Sequence, residues 1–251
     1  SIYGWIAMTG NPEIINDPAN HPHFKPIEGL DDDISSLICA PFKGRGRVMG
    51  TINVYRLGGD IFDEASCELI AATASQIGVA LENARLFEAT KVLANTDGMT
   101  SLYNYRYFTE RLNEEFERAR RYRRELSLIM IDIDLFKKYN DAHGHPKGDD
   151  LLRNFSGILK TVIRNSDISA RYGGEEFIVI LTETGKGMAI ETAERLRKAV
   201  ESKDFEGGET QPGGRVTISL GVAAYTEGLK SPDVLVKSAD AALYRAKEEG
   251  R

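Results

Sequence analysis

The chain is 251 residues long, enough for one large domain or two ordinary ones. Hydrophobic residues make up 41% and charged residues 28%, the balance of an ordinary soluble globular sequence, and no apolar run approaches the ~18 residues of a membrane-spanning helix. The formal net charge of −6 argues against nucleic-acid binding by bulk electrostatics, so any polyphosphate handled here requires metal ions or a few local cations.

Both cysteines, Cys39 and Cys67, sit in apolar company and read as reduced packing residues, which points to the cytoplasm. No signal peptide is visible, and the start at Ser1, inside structured-looking sequence, suggests a piece of a longer protein. Residues 1 to about 60 read as strand and loop, with Gly4-Trp5-Ile6-Ala7-Met8 and Glu13-Ile14-Ile15 flanking a turn at Gly10-Asn11-Pro12. Asn20 to Pro26 is a polar loop; its His21 and His23 read first as exposed residues, with metal ligation the lesser reading. Ser36 to Ala40 and Val48 to Tyr55 read as strands joined by a solvated tip, Lys43-Gly44-Arg45-Gly46-Arg47.

A long helix is predicted from Phe62-Asp63-Glu64 to Leu93, its first acids suiting the positive end of the dipole. Ile70, Ala74, Ile77, Leu81 and Ala84 form a coiled-coil-like seam, which serves either packing on its own domain or a dimerising linker. Asn95-Thr96-Asp97-Gly98 breaks the helix and marks a domain boundary. A second helix carries Phe108, Leu112, Phe116 and Ala119 on one face and ends in the basic run Arg118 to Arg124, read as a solvated C-terminus rather than a nucleic-acid patch.

Leu126 to Ile133 is a nearly continuous apolar run and reads as a buried strand ending in Asp132-Ile133-Asp134, whose two carboxylates alternation sends to one side. Phe136-Lys137-Lys138-Tyr139-Asn140-Asp141 and a glycine-rich loop, His143 to Asp149, follow. A helix then carries Leu151, Leu152, Phe155, Ile158, Leu159 and Val162 inward. Ile168–Tyr172 and Phe177–Leu181 read as a hairpin around Gly173-Gly174, with Glu175 and Glu176 at its tip. A helix over 188–201, a strand over 216–224 and a last helix capped by Ser231-Pro232-Asp233 complete the chain.

If the strand ending at Asp132 neighbours the hairpin, Asp132 and Glu175 converge. Two or three carboxylate oxygens hold magnesium only partly and leave places for water and substrate phosphate, the arrangement of phosphoryl and nucleotidyl transfer. Each acid alone reads as a cap or turn residue; the set favours metal binding.

From Asp97 to Arg251 the sequence resembles the GGDEF domain of diguanylate cyclases. The resemblance rests on Gly173-Gly174-Glu175-Glu176-Phe177, the Asp132 to Lys137 block, Asn140-Asp141, Gly144-His145, Gly148-Asp149 and Ala239-Asp240 through Leu243-Tyr244 to Ala246-Lys247. The preceding region resembles part of a GAF sensory domain through Gly4-Trp5-Ile6-Ala7, Ile15-Asn16-Asp17, Ser35 to Pro41, Gly50 to Val54 and Glu82 to Leu86. The implied fold is α+β: a partial GAF-like α/β domain over residues 1–62, a linker and dimerisation helix over 63–96, and a ferredoxin-like palm over 97–251.

The resemblance implies that Asp132, Glu175 and the Ile133 carbonyl hold magnesium or manganese. Glu176 is then a further ligand or assists deprotonation of a ribose 3′-hydroxyl. Gly173 and Gly174 let the hairpin pass close to the nucleotide, Asn140 and Asp149 read guanine, and Lys137, Lys247 and Arg251 neutralise terminal phosphates. Arg164-Asn165-Ser166-Asp167 matches the family's RxxD inhibitory site, with Arg195 as a second arginine contact. The implied activity joins two GTP molecules into cyclic di-GMP, which also inhibits, in a homodimer held by the linker helix. The rivals are a non-catalytic cyclic di-GMP receptor and a cyclase using ATP, or ATP and GTP. Two positions depart from the family, which usually has Gly at 101 and Arg at 105; here they are Ser101 and Tyr105.

Overall fold

The computed structural model describes residues 1–25 and 33–250, and its contacts divide the chain into two compact units, Ser1–Lys91 and Val92–Arg251. Pro26 and Arg251 lie outside the described residues.

The first unit opens with a helix, not the expected strand. Helix α1 (Ile2–Thr9) starts where the Ser1 hydroxyl accepts the Gly4 N–H at 3.5 Å and stops at Gly10, whose φ of 68° gives the left-handed C-cap. Ile2 and Ile6, one helical turn apart, are its buried residues. The strand-like residue types were misleading; the i, i+4 spacing carried the signal. Strands β1 (Glu13–Ile15), β2 (Ile34–Gly44) and β3 (Arg47–Leu57) form an antiparallel sheet with β2 central. Arg45 and Gly46, both at positive φ, make the two-residue turn that matches strand twist.

Helix α2 (Glu64–Asn95) follows, with Asp63 Oδ1 accepting the Ser66 N–H at 2.9 Å. Its expected seam divides. Cys67 and Ile70 pack with Ile38 and Phe62 on the sheet, and Ala74 and Gly78 are buried. Gly78 is required there, since a Cβ would stand 2.4 Å from the Lys43 carbonyl oxygen. Ile77, Leu81 and Ala84 instead face outward, as do Phe87 and Leu93.

The second unit is a four-stranded antiparallel sheet ordered β5-β6-β4-β7, from β4 (Leu126–Ile133), β5 (Ile168–Arg171), β6 (Glu176–Thr182) and β7 (Ile218–Ala224). Every residue of β4 is buried, because helices cover both faces. Ile129, Ile131, Phe177 and Val179 face α4 (Phe136–His143), α5 (His145–Val162) and α6 (Lys186–Glu201), against residues such as Phe155 and Leu196. Leu128, Met130, Ile178 and Ile180 face α3 (Tyr105–Tyr122) and α7 (Pro232–Gly250) through Phe108, Phe116, Leu235 and Leu243.

The glycine-rich loop contracts to one residue. Gly144, at φ 82°, joins α4 to α5, so Lys147, Gly148 and Asp149 belong to the first turns of a helix. The basic run at the end of α3 resolves into solvated ion pairs, Arg120 with Glu117 and Arg124 with Glu183. Ser101 adopts a φ of 54°, the left-handed backbone that glycine accepts most readily. Tyr105 places its ring edge-on to Tyr172, centroids 5.1 Å apart.

Candidate active site

The site grows from one face of β4 and β6. Alternation that turns Leu128 and Met130 toward α7 turns Asp132 the same way, at the strand's end. The antiparallel register sets Glu176 directly opposite Asp132, so both carboxylates leave the sheet on the same side. Lys247 descends from the last turns of α7 and places Nζ 2.8 Å from Asp132 Oδ2. Glu175 sits in the turn before β6, where its carbonyl accepts the Ile133 N–H at 3.4 Å. Asp132, Ile133, Asp134, Lys137, Glu175 and Lys247 thus line one cavity of about 210 Å³. Burial raises the Glu175 carboxyl above the ordinary glutamate range; nearby Asp132 adds to this and Lys247 opposes it.

Asp134 shares the cavity but has other work. Its two oxygens accept the Thr217 and Ser219 hydroxyls, each at 2.7 Å, and its amide donates to the Thr217 carbonyl at 3.0 Å. It is a buried carboxylate satisfied by β7 and the segment before it. Gly173 serves Glu176: a Cβ there would stand 2.7 Å from Glu176 Oε2, whereas one at Gly174 would meet nothing within 4 Å. Glu176 also lines a neighbouring hollow of about 610 Å³ with Asp240, Tyr244, Arg245 and Lys247 of α7.

Arg171 is a site residue that the sequence reading missed. Its guanidinium donates to the Gly174 carbonyl at 2.7 Å, to the Gly173 carbonyl at 3.2 Å and to both Asp97 oxygens at 3.2 Å. It therefore fastens the turn carrying Glu175 to the segment following α2. Only the arginine's position beside two glycines hinted at this, since its partner is 74 residues away.

Across α4 and α5, Asn140 Oδ1 is buried and has no hydrogen-bond partner. A Cβ on Gly148 would stand 1.8 Å from that oxygen, so the glycine is what admits Asn140. Asp149, the next residue, is half-buried. Lys137 is exposed at the cavity's lip in the first turn of α4.

The expected inhibitory residues lie on another part of this unit. Asp167 Oδ2 accepts the Arg164 N–H at 3.0 Å, Oδ1 is buried without a partner, and Arg195 donates to the Val162 carbonyl at 2.8 Å. Burial raises the Asp167 carboxyl, while the positive charges of Arg164 and Arg195 pull the other way. In the first unit, both His21 nitrogens are engaged: Nε2 lies 3.3 Å from Glu13 Oε1, and Nδ1 accepts the His23 N–H at 3.3 Å. His23 stacks on Trp5.

Among the described residues, no group of three or more His, Cys, Asp or Glu is arranged to hold a metal ion by itself. The cavity nevertheless fits a hard cation that keeps much of its water, since the Asp132 and Glu175 carboxylates both line it. A positive group, the Lys247 ammonium, already rests on Asp132. Among the described residues, no helix is long and apolar enough to cross a membrane.

A family model described as "Diguanylate cyclase, GGDEF domain" matches residues 94–251, and a GAF domain model matches residues 1–82. Diguanylate cyclase A of Treponema denticola is 38% identical, covering 87% of this chain and 58% of the relative. The response regulator PleD of Caulobacter vibrioides is 42% identical, covering 63% of this chain and 35% of the relative. The chain therefore spans less than two thirds of the length of these relatives. Among solved structures, the coiled coil and GGDEF domain of DgcB from Caulobacter crescentus, in complex with c-di-GMP, superposes with a TM-score of 0.65 at 29% identity. That match covers 73% of this chain and 96% of the other. The active GGEEF domain of a diguanylate cyclase from Vibrio cholerae gives a TM-score of 0.55 at 34% identity, over 59% and 92% of the two chains. With its family model matched over more than half of the chain, the protein belongs to the diguanylate cyclase GGDEF-domain family.

Proposed function

We propose that the chain condenses two GTP molecules into cyclic di-GMP and releases two pyrophosphates. The observation that carries this reading is the meeting of Asp132 and Glu175 in one cavity with two lysines, Lys137 and Lys247. Family membership and relatives named as diguanylate cyclases support it.

Asp132, Glu175 and the Ile133 carbonyl would hold magnesium or manganese, which supplies positive charge at the transferring phosphorus and its leaving group. Glu176 takes the proton of the attacking ribose 3′-hydroxyl. Its place in the larger hollow beside the cavity, rather than in the cavity lining, favours that role over direct ligation. Asn140 and Asp149 bind the guanine edge, whose adjacent N–H donors suit a carboxylate; the unpartnered Asn140 oxygen is the supporting observation. Lys137, Lys247 and Arg251 neutralise the terminal phosphates.

Each 3′-hydroxyl attacks the α-phosphorus held by the other copy, so a two-fold product requires a homodimer. The outward apolar residues of α2 support pairing through that helix. The GAF-like region would tune the alignment of the two catalytic units, and product binding at Arg164, Asp167 and Arg195 would inhibit. The two buried thiols, Cys39 and Cys67, both free, suit the cytoplasm.

The test is incubation of the chain with magnesium and labelled GTP or ATP, followed by identification of products. Cyclic di-GMP from GTP alone is expected. A cyclic dinucleotide from ATP would shift the specificity, and no product even after enforced dimerisation would leave a receptor. Glu175→Gln should lower turnover by at least ~10²-fold while the unfolding midpoint stays close to wild type; retained turnover would refute its role.

A further inference from the structure

Lys247 stands in an unexpected place for a residue proposed to neutralise phosphate. Its ammonium is 2.8 Å from Asp132 Oδ2, with the two side chains only 30% and 11% exposed. It also lines both the 210 Å³ cavity and the 610 Å³ hollow, so it stands at their common wall. An ammonium on a carboxylate occupies the lone pairs that a divalent cation would use. Two positive charges at one shielded carboxylate also repel strongly, because the surroundings screen less than water does. The lysine's four-carbon stem lets the head exchange one anionic partner for another without moving the helix. A phosphate entering the cavity offers such a partner, and the exchange leaves no charge uncompensated.

We propose that Lys247 is a built-in counter-ion that competes with the divalent cation for Asp132, so that tight cation binding waits until nucleotide phosphate draws the ammonium away. The inference rests on the proposed role of Asp132 and Glu175 as cation ligands. Cation and nucleotide then bind with positive coupling, and by linkage each strengthens the other by the same factor. Premature cation loading is suppressed, and the empty site keeps its acids partly neutralised.

The experiment titrates manganese into the full chain without nucleotide and follows the electron paramagnetic resonance of the free aqueous ion. Lys247→Met should tighten binding by about tenfold, equivalent to ~1.4 kcal/mol. Lys247→Arg, which keeps the charge, should stay near wild type. Adding Asp132→Asn to Lys247→Met should abolish the gain. A non-hydrolysable GTP analogue should tighten manganese binding to wild type more than to Lys247→Met. The proposal is overturned if Lys247→Met binds no tighter, if Arg and Met behave alike, if the gain survives Asp132→Asn, or if nucleotide coupling is equal in both proteins. A failure of the cyclase reading would appear separately, as wild-type protein that makes no cyclic dinucleotide while its manganese isotherms still respond to Lys247→Met.

Discussion

At the scale of single residues, Arg171 determines whether the acids are where the chemistry needs them. The turn carbonyls of Gly173 and Gly174 point at one guanidinium, which Asp97 holds from the far side. Arg171→Met keeps much of the volume and removes every donor, with an expected cost of about 1–3 kcal/mol. Turnover should fall further than stability explains, by roughly 10–100-fold, because Glu175 loses its fixed position. Arg171→Lys should restore little, since an ammonium cannot make the forked contact. The Asp97 carboxyl has a depressed pKa: burial pushes it up, but the Thr100 hydroxyl and amide, with Arg171, pull it down further. Its folded value lies below the unfolded one of about 3.9, so its stabilisation is complete above that pH and fades as pH falls through the folded value. The gap in unfolding midpoint between wild type and Arg171→Met should therefore narrow once acidification protonates Asp97 in the folded protein, below about pH 4; a gap that never narrows on acidification would refute the pairing. Asp132 and Glu175 were legible in the sequence because an acid closing a buried strand and acids at a glycine turn are locally conspicuous. Arg171 was not, because an arginine in a strand looks like a solvated one until a distant partner is known. Asn140 and Asp149 enter as candidates only through resemblance; nothing local announces that Gly148 exists to admit an amide oxygen.

At the scale of elements, legibility followed periodicity. The four strands of the second sheet and helices α3, α5 and α7 were visible because their apolar spacing is regular. Helix α1 was lost because eight residues give only one clear repeat, Ile2 to Ile6. The seam of α2 divides: one length of it meets its own sheet and the rest faces outward, a division that spacing alone cannot show. The contact of α7 with β7 was also invisible, yet it sets where Lys247 lands. A Cβ on Gly221 would stand 2.1 Å from the Ala239 carbonyl oxygen and 2.2 Å from the Leu243 nitrogen, both backbone atoms that no side-chain rotation can clear. Gly221→Ala must push α7 off the sheet and should cost about 1–3 kcal/mol or more. At about 2–4 °C per kcal/mol for a domain of this size, the fall in midpoint is measurable by calorimetry. Gly187→Ala is the matched control: a Cβ there meets nothing within 4 Å, and alanine favours the helix. Equal midpoints for the two variants would show that the close approach does not constrain α7.

At the scale of the molecule, the cavity that brings Asp132 and Glu175 together is built once within the catalytic unit, whereas the proposed product is symmetric and has two phosphodiester bonds. Chemistry of that symmetry needs two copies face to face, and their effective concentration depends on whatever holds them. Helix α2 offers the material: Phe87 and Leu93 are 68% and 80% exposed, and Ile77, Leu81 and Leu86 are also exposed. A single large apolar side chain at the surface means little, but several along one helix leave apolar area in water that association would cover. Burying a side chain of this size contributes about 1.5–3 kcal/mol, and in a symmetric pair each substitution acts twice. Phe87→Asp with Leu93→Asp should therefore weaken association by at least ~100-fold, moving the chain to monomer in sedimentation at micromolar concentration. Turnover per chain should fall in parallel and become steeply dependent on protein concentration. Manganese binding at Asp132 should be unchanged, because each cavity is built within one copy. A double variant that sediments as a monomer yet keeps concentration-independent turnover would refute the dimeric mechanism. One that stays dimeric would assign the interface to another surface.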